Sequence, residues 1–120
     1  MPDSRFPRSV YSEGTEPDPR FSLANERTFL AWIRTSLALI AAGVALEALD
    51  LPLQHALRLT ASLLLLVLGS TLPVLGYREW TRAERAMRQG LPLRSSLALP
   101  VLTTGLAAAG FLLILAVLWP

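Results

Sequence analysis

Apolar positions in this chain gather into three long blocks, 29–49, 57–77 and 97–119, and do not recur at the spacing of a half-buried surface helix. At ~1.5 Å per residue each block is about long enough to cross the ~30 Å hydrocarbon core of a bilayer. The pattern therefore predicts an all-α membrane protein with three transmembrane helices. Ahead of them the first residues mix Pro2, Pro7, Pro17 and Pro19 with Ser, Glu, Asp and Arg. No periodic apolar face runs through 1–19, which reads as a disordered polar tail, leaving 20–120 as the transmembrane domain. Asp18-Pro19 has the form of an N-cap followed by proline at the first helical position, with Ser22 as an alternative cap. A short amphipathic helix carrying Phe21 and Leu23 is expected to lie on the membrane there.

The first span carries an internal pattern. Ala24, Ala31, Ala38 and Ala45 recur every seven residues, as do Arg27, Arg34, Ala41 and Ala48, and the two rows are neighbours on a helix of 3.6 residues per turn. Phe29, Ile33, Ile40 and Val44 lie opposite. In lipid, helices associate through small residues that let their backbones approach. Ala31, Ala38, Ala41 and Ala45 are therefore the expected helix-packing positions, with the Phe/Ile side toward acyl chains and with Arg27 and Arg34 toward neighbouring helices. Glu26 is the nearest acidic partner for them, acting on a neighbouring helix or subunit. Arg34 alone can instead snorkel to the headgroups.

In the second span, Pro73 is expected to bend the helix without ending it, because neighbouring groups in a bundle re-satisfy the freed carbonyl. The polar stretch that follows is rich in helix formers until Gly90 and Pro92, so this helix should continue past the membrane. Arg78, Arg82, Arg85 and Arg88 then share roughly one face, with Glu84 placed four residues before Arg88 to pair with it. The third span offers Gly105, Gly110 and Ala107 to Ala109 for close helix contact. Trp119 at one end, and Tyr77 and Trp80 at the other, suit the two membrane interfaces.

Charge adds an orientation. All 11 basic residues are arginine, and the net charge is only +2, but their distribution is uneven. Arg5, Arg8, Arg20 and Arg27 precede the first span, and Arg78, Arg82, Arg85, Arg88 and Arg94 separate the second from the third, whereas Arg58 alone lies near the opposite face. Basic segments stay on the cytoplasmic side, which predicts N-in/C-out topology with the second helix extended into the cytoplasm, in a multi-pass membrane protein. A cleaved signal peptide is the competing reading of the first span, since Gly43-Val44-Ala45 imitates a cleavage site. The long segment before it, Arg34 within it and the two later spans argue against that.

Catalytic chemistry finds little to work with. The chain has no cysteine and a single histidine, His55, with no second ligand or base nearby in sequence. Glu47 and Asp50 form a carboxylate pair, but Pro52 follows and no ligand set accompanies them, so a solvated loop is expected. Thr28, Thr35 and Ser36 have no histidine partner and are expected to bond backbone carbonyls. The reading is a non-enzyme without metal, cofactor or nucleic-acid partner.

The core Asn25-Glu26-Arg27-Thr28-Phe29-Leu30, continuing through Ala31-Trp32-Ile33-Arg34-Thr35-Ser36, resembles the signature of the YidH-like family of small bacterial membrane proteins, domain of unknown function 202. The stretch from Tyr77 to Gly90 is similar to that family's second characteristic segment, so the likeness runs from about Arg20 to the C-terminus. The same core resembles the small membrane subunit of the eukaryotic vacuolar transporter chaperone, a polyphosphate polymerase complex. There three-helix units form a ring, and basic residues of the first helix face the polyphosphate path. By position, that resemblance would make Arg27 and Arg34 lining residues and Arg78 their helper. For the bacterial members the resemblance implies a fold and a location, the bacterial inner (plasma) membrane, rather than an activity.

Guanidinium groups suit phosphate because their planar donors engage two oxygens at once. Arg27, Arg34, Arg78, Arg82 and Arg85 are therefore the candidate anion- or polyanion-binding residues of a homo-oligomer, with a conduit as one form such a site can take. The alternative is a non-transporting accessory that scaffolds a membrane protein partner or binds anionic lipid through 78–88.

Overall fold

A computed structural model of the chain describes residues 4–119. Four helices follow in order: α1 Arg8–Tyr11, α2 Pro19–Ala48, α3 His55–Gln89 and α4 Ala98–Leu118. The described residues contain no strand, and α2, α3 and α4 are each long and apolar enough to cross a membrane. The molecule is a rod of 63 × 24 × 20 Å. Its length comes from α3, whose 35 residues rise about 52 Å, well beyond the ~30 Å of a bilayer core.

Local chemistry sets the helix ends. Asp18 accepts a hydrogen bond from Arg20 N at 2.9 Å and Pro19 opens α2, so the capping expectation holds. The amphipathic segment at Phe21 and Leu23 is no separate helix but the first turns of α2. Gln54 caps α3 through Leu57 N at 2.7 Å. Gly90 ends α3 in a left-handed conformation, φ 66°, that glycine adopts without steric cost. Pro73 lies inside α3, which runs on through it.

Helix α3 is the middle member: α2 packs on it, α4 packs on it, and the backbones of α2 and α4 stay apart. Leu39, Leu65, Leu68, Leu72 and Ala109 form the buried core, with Trp32, Leu46 and Leu102 packed around it. From α4, Gly105 and Ala109 serve the contact, a Cβ on Gly105 falling 2.9 Å from Leu68 Cδ2, whereas Gly110, Ala107 and Ala108 face outward.

The α2–α3 seam overturns the lipid-facing assignment of the first span's Phe/Ile side. Ser22, Asn25, Phe29, Trp32, Ser36, Leu39, Ile40 and Gly43 turn toward α3, and the alanine rows turn away. Phe29 meets Tyr77 edge-on at 6.3 Å and Ile40 lies against Gly69, so neither lies on an outer, lipid-facing side; of the four residues assigned there, only Val44 is exposed. Paired small and hydroxyl residues explain the reversal. Ser36 donates to the carbonyl of Gly69, and Ser62 donates to the carbonyl of Gly43 at 2.6 Å. Each glycine removes the side chain that would hold the backbones apart, and each serine fills the gap with a hydrogen bond.

The tail also differs from its expectation over the described part; residues 1–3 lie outside the described residues. Residues 5–16 fold back over the end of α3, where Val10 is fully buried. Gly14, at φ 54°, presses so closely on the Arg88 carbonyl that a Cβ would sit 1.9 Å from its oxygen. Thr15 N donates to that same carbonyl at 2.8 Å.

Candidate functional site

The five candidate arginines do not converge within one chain. Arg27 and Arg34 stand on the side of α2 opposite Ser36, fully outward, together with exposed Ala31, Ala38 and Ala41 and half-buried Ala45. Glu26 is exposed too and bonds neither of them. Arg82 and Arg85 line a groove of about 800 Å³ between α2, the end of α3 and the 91–99 segment. Arg78 is exposed and lines neither feature. Among the described residues, none of the five makes an ion pair or side-chain hydrogen bond.

Three polar clusters that the residues' order did not reveal hold Glu84, Arg88 and Arg58. Glu84 does not pair with Arg88; it is buried at 2% exposure and accepts from Ser22 Oγ at 3.2 Å and Asn25 Nδ2 at 3.3 Å. Asn25 also donates to the Trp80 carbonyl at 3.1 Å. A buried carboxylate needs donors, and two residues of the signature segment supply them, tying the start of α2 to the extension of α3. Ser22, Asn25, Ser36 and Gly43, one face of α2, were the available signal.

Arg88, 6% exposed, clamps the tail: it donates to the carbonyls of Tyr11 at 2.9 Å and Glu13 at 2.8 Å and pairs with Glu16 at 3.2 Å. Arg5 grips Glu16 at 2.7 Å and lies 4.3 Å over the Tyr11 ring. Bonds first from Arg5 and then from Arg88 hold the Glu16 carboxyl down to about 2. Burial, and then the charge of Glu84, raise the Tyr11 phenol.

At the opposite end Arg58 is enclosed. It donates to the Leu51 carbonyl at 2.8 Å and lies 3.4 Å from Asp50 and 3.5 Å from Glu47, with His55 Nδ1 at 3.4 Å. Glu47 and Asp50 are thus ligands of an arginine, not merely a solvated loop. Gln54 N bonds the Ala116 carbonyl at 3.2 Å, fastening this loop to the end of α4.

Comparison with known proteins gives this arrangement its family. Residues 20–86, more than half of the chain, match the model described as Domain of unknown function (DUF202). The inner membrane protein YidH of Escherichia coli (strain K12) is 49% identical over 87 residues, covering 70% of this chain and 76% of that protein. An uncharacterized protein of Mycobacterium tuberculosis (strain ATCC 25618 / H37Rv) is 45% identical over 97 residues, 79% of each chain. No solved structure matches the chain at a significant level. The matched region holds the α2–α3 seam, with Asn25, Ser36, Gly43, Ser62, Gly69 and Glu84. The chain belongs to the DUF202, YidH-like family and is a multi-pass protein of the inner membrane.

Proposed function

We propose that the protein works as a homo-oligomer in which α2 helices of neighbouring copies face one another, with Arg27 and Arg34 lining an anion or polyanion site. The N-terminus and the arginine-rich end of α3 lie in the cytoplasm in this reading. The observation that carries it is the bare outer face of α2, where two unpaired arginines share a side with Ala31, Ala38 and Ala41 while α3 occupies the other side. Arg34 in particular lies about 7 Å along the helix beyond Phe29. A guanidinium left against lipid at that depth costs up to ~2.5–3.5 kcal/mol. A second copy removes the cost, its alanines permitting close approach and its Glu26 offering a counter-charge. Arg27 and Arg34, seven residues apart, then form two tiers about 10 Å apart, so that one extended polyanion, spanning several phosphate units, can reach both. Arg78, Arg82 and Arg85 add positive potential at the cytoplasmic mouth. No enzymatic step is assigned.

The cysteine-free chain makes the test direct. A38C should crosslink between copies in the bilayer and I40C should not, and R27A/R34A should lower phosphate or polyphosphate flux into liposomes at least tenfold. Flux that is unchanged, or absent from both proteins, leaves the second reading: an accessory that scaffolds a membrane partner or binds anionic lipid. The unpaired, exposed Arg78 and Arg82 favour that reading.

A further inference from the structure

Because α4 packs on α3 with its backbone held away from that of α2, the two outer helices leave a gap across α3 at the arginine-rich end. That gap is the groove of about 800 Å³, within the ~300–1,000 Å³ common for ligand sites. Its two parts differ in chemistry. Phe29 and Trp32 of α2 and Leu99 of α4, all in membrane-spanning helices, give it an apolar floor. Arg82 and Arg85 of α3 and Arg94 of the following segment line it as well, three guanidinium groups without an acidic partner among the described residues. Glu79 is the one carboxylate of the lining, so the positive charge dominates. Trp80, also in the lining, is a residue type that settles at the membrane–water boundary.

We infer that this groove holds one anionic phospholipid of the surrounding leaflet, its phosphate on Arg82, Arg85 and Arg94 and an acyl chain along Phe29, Trp32 and Leu99. Charge complementarity selects the anion, and the apolar floor, continuous with spanning helices, selects a lipid over a free phosphate or a soluble polyanion. The bilayer delivers such a ligand by lateral diffusion, so modest affinity fills the site. Planar guanidinium groups grip phosphate through paired donors, which favours a phosphate-bearing headgroup over a general preference for negative charge. This goes beyond the α2-lined site in residues and ligand. It deepens the accessory reading and rests on it only in giving the arginine-rich end a lipid partner.

Tryptophan fluorescence tests it, because Trp32 and Trp80 line the groove and Trp119, at the far end, can be removed as W119F. In liposomes of equal bromolipid content, phosphatidylglycerol brominated on its acyl chains should quench W119F at least twofold more than brominated phosphatidylcholine. The difference should vanish in R82A/R85A/R94A, shrink in the single loop variant R94Q, and persist in R78A, whose arginine lies off the groove. Circular dichroism establishes that each variant keeps its helices, and R94Q carries the test if the triple variant does not fold. Equal quenching by the two lipids, or selectivity that survives R94Q and the triple variant, overturns the inference. So does relief of quenching by millimolar inorganic phosphate, which assigns the arginines to a free anion, or the absence of quenching by either lipid, which means another chain fills the gap. Quenching reports occupancy and liposome flux reports conduction, so this site and the α2 site fail separately.

Discussion

The two faces of α2 are built on opposite plans. The inner face carries Ser22, Asn25, Ser36 and Gly43, every one of them engaged by α3. The outer face carries the charge, Arg27 and Arg34, with small alanines and no partner among the described residues. In water an apolar stripe would decide which face packs. In a bilayer lipid tails are as apolar as leucine, so the deciding terms are close approach and hydrogen bonds with nowhere else to go. Moderately polar, hydroxyl- and amide-bearing residues therefore hold α2 to its own chain, and the strongly charged ones are left for something outside it.

The largest effect that should break this contrast comes from filling the inner face. A Cβ at Gly69 would lie 2.7 Å from Ile40 Cγ1 and 3.0 Å from the Ser36 carbonyl oxygen. Ser36 is buried and Ile40 half-buried, so neither yields easily, and G69A should destabilise the hairpin by about 1–3 kcal/mol. The check is reversible unfolding in mixed micelles. A loss below the scatter of the measurement means that the seam is looser than described and that its glycines do not set the face.

Much of this architecture was legible in the residues. The blocks 29–49, 57–77 and 97–119 fall within or against α2, α3 and α4, because length and hydropathy alone decide which segments span. Asp18-Pro19 and Gly90 marked helix ends because capping is local chemistry. The faces were not legible, since periodicity in an all-apolar helix does not separate lipid from protein, and a heptad of alanines is as good a contact for a second copy as for the same chain. The tail escaped notice for another reason. Its docking depends on one arginine, Arg88, capturing carbonyls some 75 residues away in sequence, and no short-range pattern encodes such a contact. Of the candidate site, residue type was readable and convergence was not: Arg82 and Arg85 share a groove, whereas Arg27 and Arg34 stand on the far side of α2.

A middle-sized effect sharpens the comparison. S36A removes one of the two reciprocal hydrogen bonds but adds no bulk, and hydrogen bonds between membrane helices average about 0.6 kcal/mol, reaching about 1.7. The loss should fall in that range, and S36A/S62A should lose roughly twice as much if the two bonds act independently. Double-variant unfolding measures it, and a combined loss far above the sum would mean that the bonds close the seam as one unit.

The smallest effect is the most discriminating, because it concerns residues that should do nothing for the fold. Arg27 and Arg34 touch no other side chain by hydrogen bond or ion pair in the described residues. Exposed substitutions of that kind usually shift stability by less than about 0.5 kcal/mol. R27A/R34A should therefore leave unfolding of the isolated monomer unchanged within that margin, and can raise it slightly, since removing Arg34 also removes a charge held against lipid or detergent. In a bilayer the same variant should weaken association between copies if the outer face is covered by a neighbour, read as lower A38C crosslinking in the R27A/R34A background. A monomer destabilised by more than about 1 kcal/mol would show that the arginines serve their own chain, and the division of labour between the two faces of α2 would fail at its plainest point.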